Sequence, residues 1–406
     1  MKASQKKIIS VVLVCVFLII GAVAVSKGKF GASEGMSQNV KGDKAADSEM
    51  LLENTAEADE AYKKAKTDLV FWYEDDTYTA FLEEAAKCYF AETGVKVSVE
   101  YQDTIDYIGN IYDKTMQEDS YPDVYLISGD NLEEAYLYGL VSVNESDMAD
   151  TKIMAQAVEA STYQGKTLGY PLSYNTCLFV YQNGYFEEAP TSLQMMIDYS
   201  DQNEPAENVE YLLEWDVNDA FYDFPFISNS VTFDKTETET MDVVYNKDLY
   251  DKDLEFFEEI LESFSVDASK VSEDRIIENF LAGRTLSAII DTNSLHRLEG
   301  YAYELMPLPS LNEELGTVTC AATDMLAVND FSGKQETAAN FASYVTGTMS
   351  AKLHEMSGHY SVIPSKKPDA IETVANQIYE SAVLVPNSQD AKDFWVNLEE
   401  TISKYF

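Results

Sequence analysis

Histidine, cysteine and basic residues are scarce in this chain of 406 residues, which has three histidines, four cysteines without CxxC spacing, and 28 Lys and Arg. The histidines occur outside any HExxH context, no GxSxG motif is present, and no Walker or Rossmann glycine pattern is found. Among so many acidic residues, a pair of carboxylates is not a signal of glycoside hydrolysis. We therefore expect no enzymatic activity, no metal and no cofactor.

The net charge of the chain is strongly negative. The 71 Asp and Glu residues outnumber the basic ones and give a formal charge of −43. Binding to nucleic acid requires a basic surface, and docking on anionic lipid heads requires lysines and arginines near the membrane, so both are disfavoured. A solvated acidic surface accounts for this charge, and a site selective for cations is the alternative.

The cysteines do not form a disulfide framework. Cys15 lies in an N-terminal apolar run, which leaves Cys88, Cys177 and Cys320 in the rest of the chain. Because three is an odd number, at least one of them must be free or paired with another chain. Cys88 and Cys177 have apolar neighbours, so we expect buried thiols.

The N-terminus carries an export signal. Lysines precede an uncharged apolar run at residues 8–25, a pattern that directs the following chain across the membrane. The run is long enough for a bilayer and contains a small-residue cleavage site, so residues 1–26 are a signal peptide or a membrane anchor. Residues 27–66 are polar and poor in aromatics, which predicts a linker. The folded body is expected outside the cell.

The folded body begins with alternating strand and helix patterns. Leu69–Tyr73 and Val95–Tyr101 have the composition of strands, and Thr79–Thr93 between them has helical spacing of its apolar residues. This order predicts a βαβ unit with parallel strands. Ile105–Gln117 continues as a helix, and Tyr121–Ser128 as a third strand.

Tyr163–Phe186 is the stretch around which the rest of the chain is organised. Gly169, Pro171 and Asn175 are turn-forming residues between β-prone runs, of which Leu178–Tyr181 is the clearest. A succession of strand, break and strand suits a backbone that crosses between two bodies.

Several motifs of the chain resemble one protein family. Five segments resemble, in order and spacing, motifs of the maltose-binding-protein-like extracellular solute-binding proteins of ABC importers. They are PDVYLIS, GKTLGYP, YNT, ENFLAGRTLSAIIDTN and the tail segment VPNSQDAKDFW. The resemblance covers Asp68 to Phe406. It implies a two-lobed α/β fold, each lobe a mostly parallel sheet flanked by helices, with lobe 1 at residues 67–173 plus 322–364 and lobe 2 at 174–321 plus 365–406.

The same resemblance implies a function. The chain is expected to bind a carbohydrate, an oligosaccharide, between the lobes, to close around it by hinge motion, and to deliver it as a monomer to permease subunits in the membrane. Polar groups at strand ends would bind hydroxyls, and aromatic rings would stack on the sugar. The residues at the matching positions are Glu74, Asp76, Asp130, Tyr174, Asn175, Phe221, Tyr222, Asn293 and Trp395.

Other interpretations of these residues stay open. The acids could be solvated loop carboxylates, Asn175 a turn residue, and the aromatics and Trp395 part of the core. Glu74, Asp76 and the overall charge also suit a cationic solute such as a polyamine. An exported glycosidase and a ligand sensor for a membrane receptor are further alternatives, since the same fold supports several functions.

Overall fold

The structure is a computed structural model that describes residues 59–118, 120–146, 152–203, 207–235, 241–385 and 389–406. The predicted signal peptide or anchor, and the linker up to residue 58, lie outside the described residues. Within them, no helix has the length and apolar composition needed to cross a membrane.

The first lobe is an α/β layer built on the predicted βαβ unit. Strand β1 (Leu69–Tyr73) pairs in parallel with β2 (Val97–Tyr101) and β3 (Val124–Ser128). Between β1 and β2 lies helix α1 (Thr79–Thr93), which ends where Gly94 adopts a left-handed conformation with φ of 75°. Burial of the apolar faces of α1 and of the strands in one core holds this lobe together.

The second lobe repeats this arrangement. Strand β10 (Thr285–Asp291) is buried along its whole length and pairs in parallel with β7 (Tyr211–Glu214). Helices α7 (Lys247–Ser263) and α8 (Glu273–Leu281) cover this sheet with their apolar faces. The predicted two-lobed α/β fold is therefore confirmed, whereas the exact residues at which one lobe ends and the other begins stay a prediction.

The two lobes are joined by one continuous strand, β6 (Gly169–Gln182), which was predicted as strand, break and strand. Its first half pairs antiparallel with β12 (Cys320–Val328), and its second half pairs antiparallel with β10. Pro171 does not break β6 because the pairing with β12 shifts register there, between Asp324 and Met325. Such irregularities accommodate a residue that has no N–H to donate.

The remaining elements complete the two layers. Antiparallel pairs join β4 to β5, β8 to β9, and β11 and β13 to β6. Strand β14 pairs in parallel with β12. The helices not yet given are α2 (Tyr107–Met116), α3 (Leu132–Leu137), α4 (Ala155–Ala160), α5 (Leu193–Gln202), α6 (Ala220–Ile227), α9 (Gln335–Ser343), α10 (Ser350–Ser357), α11 (Ala370–Ser381) and α12 (Gln389–Ile402). The strands not yet given are β4 (Thr162–Tyr163), β5 (Lys166–Thr167), β8 (Val231–Lys235), β9 (Met241–Tyr245), β11 (Tyr303–Met306), β13 (Tyr360–Ser361) and β14 (Val383–Leu384).

The three cysteines within the described residues are free thiols. Cys177 and Cys320 are buried, and each thiol donates to the Phe221 carbonyl oxygen, at 3.5 and 3.6 Å. Burial raises the pKa of both thiols well above the usual value. Cys88 is half-buried and contacts Glu84. The prediction of a buried thiol is confirmed for Cys177 and wrong for Cys88, which is only half-buried.

Candidate ligand-binding cleft

Asn175 lies at the joint between the lobes and ties β6 to the end of β10. Its amide nitrogen donates to Asp291 Oδ2 at 2.7 Å, and its amide oxygen accepts from Thr292 Oγ1 at 2.8 Å. Asp291 also accepts from the backbone N–H of Ser294 at 2.9 Å. Both polar ends of the Asn175 side chain are therefore used to position the loop after β10.

Asp291 belongs to a buried acidic network at this joint. Burial raises the pKa of its carboxyl to about 7, and the negative charge of Glu273 contributes further. Glu273 itself accepts hydrogen bonds from Ser294 and, at 3.2 Å, from the Tyr222 hydroxyl. The network connects α6, α8 and the loop after β10, which makes the second-lobe side of the joint rigid.

Polar side chains of the first lobe converge at the carboxyl ends of β1 and β3. Glu74 directly follows β1, and Asp130 lies in the turn after β3. Partial burial raises the pKa of the Glu74 carboxyl, and the negative charges of Asp130 and Asp75 raise it further. The hydroxyl of Tyr107, the first residue of α2, is buried near the Glu74 charge, and both effects raise its pKa. These groups form one acidic, hydrogen-bonding face, as the parallel topology predicts.

Three of the predicted ligand residues carry a buried polar atom without a hydrogen-bond partner. Six buried side-chain atoms in the described part of the chain have no hydrogen-bond partner, and they include Asp130 Oδ1, Asn293 Oδ1 and Trp395 Nε1. The Tyr107 hydroxyl is a fourth. Because buried polar groups in proteins are nearly always hydrogen-bonded, these atoms are available to a bound molecule.

One ion pair connects the two lobes at the side of the cleft. Lys392 Nζ of α12 lies 2.8 Å from Glu134 Oε2 of α3. Helix α12 packs in the core of the second lobe and α3 in that of the first. Trp395 is three residues after Lys392 and therefore shares its helix face. That face is turned towards the first lobe, where Asp130 lies one helical turn before Glu134.

Two of the predicted ligand residues pack in the core. Tyr174 is fully buried, its ring stacks on Tyr379 with ring centres 4.3 Å apart, and its hydroxyl donates to Asn376. Tyr222 is buried on the inner side of α6, with its hydroxyl bonded to Glu273. Both side chains already have partners within the protein, and their role in the wall of a cleft stays a prediction.

The other predicted residues have mixed surroundings. Asp76 is exposed in a 3₁₀ turn after β1, and Phe221 is half-buried beside the core of the second lobe. The aromatic segment around Pro225 is helix α6, with Pro225 inside it.

A buried network at the joint was not predicted from the sequence. The Tyr78 hydroxyl donates to Asp324 Oδ2 at 2.5 Å and lies 3.0 Å from His359 Nδ1, while His359 Nε2 is 2.7 Å from Thr77 Oγ1. Burial lowers the pKa of His359 to about 4 and raises that of Asp324 to about 7. No sequence signal indicated this network, because its members are up to 282 residues apart.

A family profile described as "Bacterial extracellular solute-binding protein" matches residues 84–377, which is more than half of the chain. No curated protein sequence matches.

Solved structures of sugar-binding proteins share the fold. An extracellular solute-binding protein from Staphylococcus aureus in complex with maltose has a TM-score of 0.69 and 18% identity, covering 84% of this chain and 93% of that one. A cyclo/maltodextrin-binding protein complexed with maltotetraose has a TM-score of 0.70 and 16% identity, covering 84% and 92%. The Thermus thermophilus maltotriose-binding protein, bound with maltotriose, has a TM-score of 0.69 and 17% identity, covering 83% and 94%.

Proposed function

The chain belongs to the bacterial extracellular solute-binding proteins, and we propose that it is the substrate-binding component of an ABC importer that binds an oligosaccharide between its lobes. It would act outside the cell, held at the membrane by its N-terminal segment or released after cleavage. Permease subunits in the membrane would receive the sugar. The chain itself would act as a monomer and catalyse no reaction.

The unpartnered atoms of Asp130, Asn293 and Trp395 are the observation that carries this proposal. Two are acceptors and one is a donor, and they come from both lobes. A sugar hydroxyl donates and accepts, so the hydroxyls of one molecule can satisfy all three atoms. The Trp395 ring adds an apolar face for the sugar C–H groups. Solved structures with this fold hold maltose, maltotriose or maltotetraose, which agrees with this ligand class.

Hinge closure would couple binding to transport. A ligand that contacts both lobes binds the closed form more tightly and shifts the population towards it. A dissociation constant of about 1 μM corresponds to roughly −8 kcal/mol, which is ample for such a shift. Asn175 and Asp291 would keep the second-lobe wall in place while β6 and β12 bend.

A cationic solute is the second candidate. The carboxylates of Asp75 and Asp130 lie close enough to Glu74 to raise its pKa. A ligand ammonium group would relieve the repulsion among these three acids. A polyamine would meet this need, whereas a neutral oligosaccharide would be bound by the hydrogen-bonding capacity of the same groups.

A thermal shift screen of the full chain distinguishes these candidates. Maltodextrins of increasing length, polyamines and amino acids are added at about 100 times a micromolar dissociation constant, where a specific ligand adds about 2.7 kcal/mol of stability. We expect a rise in Tm with maltodextrins. A rise with polyamines alone would replace the carbohydrate by a cationic solute, and no rise with either class would contradict both.

Loss of the ion pair between the lobes should weaken the closed form. In Glu134→Gln the attraction to Lys392 is lost, and because both side chains are partly exposed we expect only about a two- to fivefold faster release of sugar. Stopped-flow fluorescence measures this rate. The exchanged pair Glu134→Lys with Lys392→Glu should restore the slower release. An equal rate in all variants would show that the pair does not contribute to closure.

A further inference from the structure

A cavity lies beside the joint between the lobes, next to β13. Its volume is about 360 Å³, and it is lined by residues from α10, the segment after β10 and the start of α11. Pockets of this size hold small organic molecules. None of the nine predicted ligand residues lines it, so it is a different place from the cleft described above.

Two tyrosines with largely buried side chains line this cavity. Tyr303 is 4% exposed and Tyr360 is 6% exposed, and neither hydroxyl has a hydrogen bond within the described residues. By contrast, the Tyr301 hydroxyl in the same wall donates to Gln182 at 2.8 Å. The Tyr360 ring is fixed by stacking on His354, with ring centres 4.3 Å apart. Tyr303 and Tyr360 therefore offer this cavity hydroxyls that can bond to a ligand.

The cavity is also negatively charged. Glu299 and Asp369 line it, and no lysine or arginine does. Burial raises the pKa of Tyr303 to about 12, with the charges of Asp369 and Glu299 adding to the shift, and the same causes raise the pKa of Tyr360. The two carboxylates therefore lie near both hydroxyls, a setting that favours a cation over a neutral sugar.

We propose that this cavity binds a small organic cation, with its ammonium group beside the Tyr303 ring and the Tyr360 hydroxyl and near the carboxylates of Glu299 and Asp369. Aromatic faces attract cations through their quadrupole, and the two carboxylates add a direct charge attraction. This site is additional to the sugar cleft and does not depend on it.

Choline is the probe for this site. It is titrated into the full chain by calorimetry, in parallel with its neutral analogue in which carbon replaces the nitrogen. The two molecules have the same shape, so a difference in affinity reports the charge. We expect choline to bind at least about tenfold more tightly. No binding of choline, or equal binding of the neutral analogue, would overturn the proposal.

Variants locate the binding within the molecule. Asp369→Asn retains the side-chain oxygen that caps α11, so this change removes charge without removing the cap. The double variant Glu299→Gln with Asp369→Asn should lower choline affinity at least about tenfold, whereas the exposed Glu355→Gln on α10 should leave it unchanged. Trp395→Ala should also leave it unchanged. Unaltered affinity in the double variant, or loss in Trp395→Ala, would show that choline binds elsewhere.

Discussion

Replacing Trp395 by alanine should lower the affinity for maltotriose by roughly 10- to 100-fold. The ring is half-buried on the face of α12 that carries Lys392. Removing a large apolar face from a binding site costs about 1.5 to 3 kcal/mol, which is this range in affinity. Calorimetric titration of the full chain measures the change.

Two companion variants separate stacking from loss of structure. Val396→Ala changes a neighbouring side chain that is 55% exposed, and its affinity should equal that of the original chain. Trp395→Phe keeps an aromatic face but lacks the indole N–H, so its affinity for maltotriose should lie between that of the original chain and that of Trp395→Ala. An affinity of Trp395→Ala within twofold of the original would remove Trp395 from the binding site.

Asp324→Asn should stabilise the protein at high pH and leave it nearly unchanged at low pH. The Asp324 side chain is half-buried at the joint, and its carboxyl oxygen accepts hydrogen bonds from Tyr78 and Ser173. Burial raises its pKa from 3.8 to about 7, and the charges of Asp75 and Asp130 contribute. The folded chain therefore keeps a proton between about pH 4 and 7 that the unfolded chain has lost, so the free energy of unfolding falls as the pH rises through this window.

The asparagine variant has no such loss, because its side chain does not titrate and still accepts from Tyr78. We expect it to be more stable by about 2 to 4 kcal/mol at pH 8, with the difference vanishing near pH 4. Urea unfolding at both pH values measures this. The lowered pKa of His359 acts in the opposite direction, but His359 is present in both chains.

The exposed Asp103→Asn is the matched control, with no expected difference at either pH. An Asp324→Asn variant that is less stable at pH 8 would mean that the ionised carboxylate is compensated by its hydrogen bonds.

Local patterns were sufficient to predict the regular elements of the first lobe. Leu69–Tyr73 and Thr79–Thr93 match the observed strand and helix because their apolar spacing and the Gly94 stop are local properties. The continuous β6 was missed because Pro171 is tolerated only through the irregular pairing with β12. Helix α6 could not be predicted from local patterns either, since a proline inside a segment argues against a helix.

The site was less predictable than the fold. Glu74 and Asp130 could be placed together because parallel strands end at one edge of a sheet. The spacing of aromatics does not show which side a ring faces, and so it could not show that Tyr174 and Tyr222 pack in the core. Contacts such as Lys392 with Glu134 join residues 258 positions apart and have no local signal.

Hydrogen–deuterium exchange with and without maltotriose tests the central claim most directly. If one sugar molecule bridges the lobes and closes them, backbone amides should exchange more slowly in peptides from both sides, residues 74–78 and 129–132 in the first lobe and 292–298 and 392–398 in the second. Slower exchange in one lobe alone, or no change at saturating maltotriose, would contradict binding by closure around an oligosaccharide.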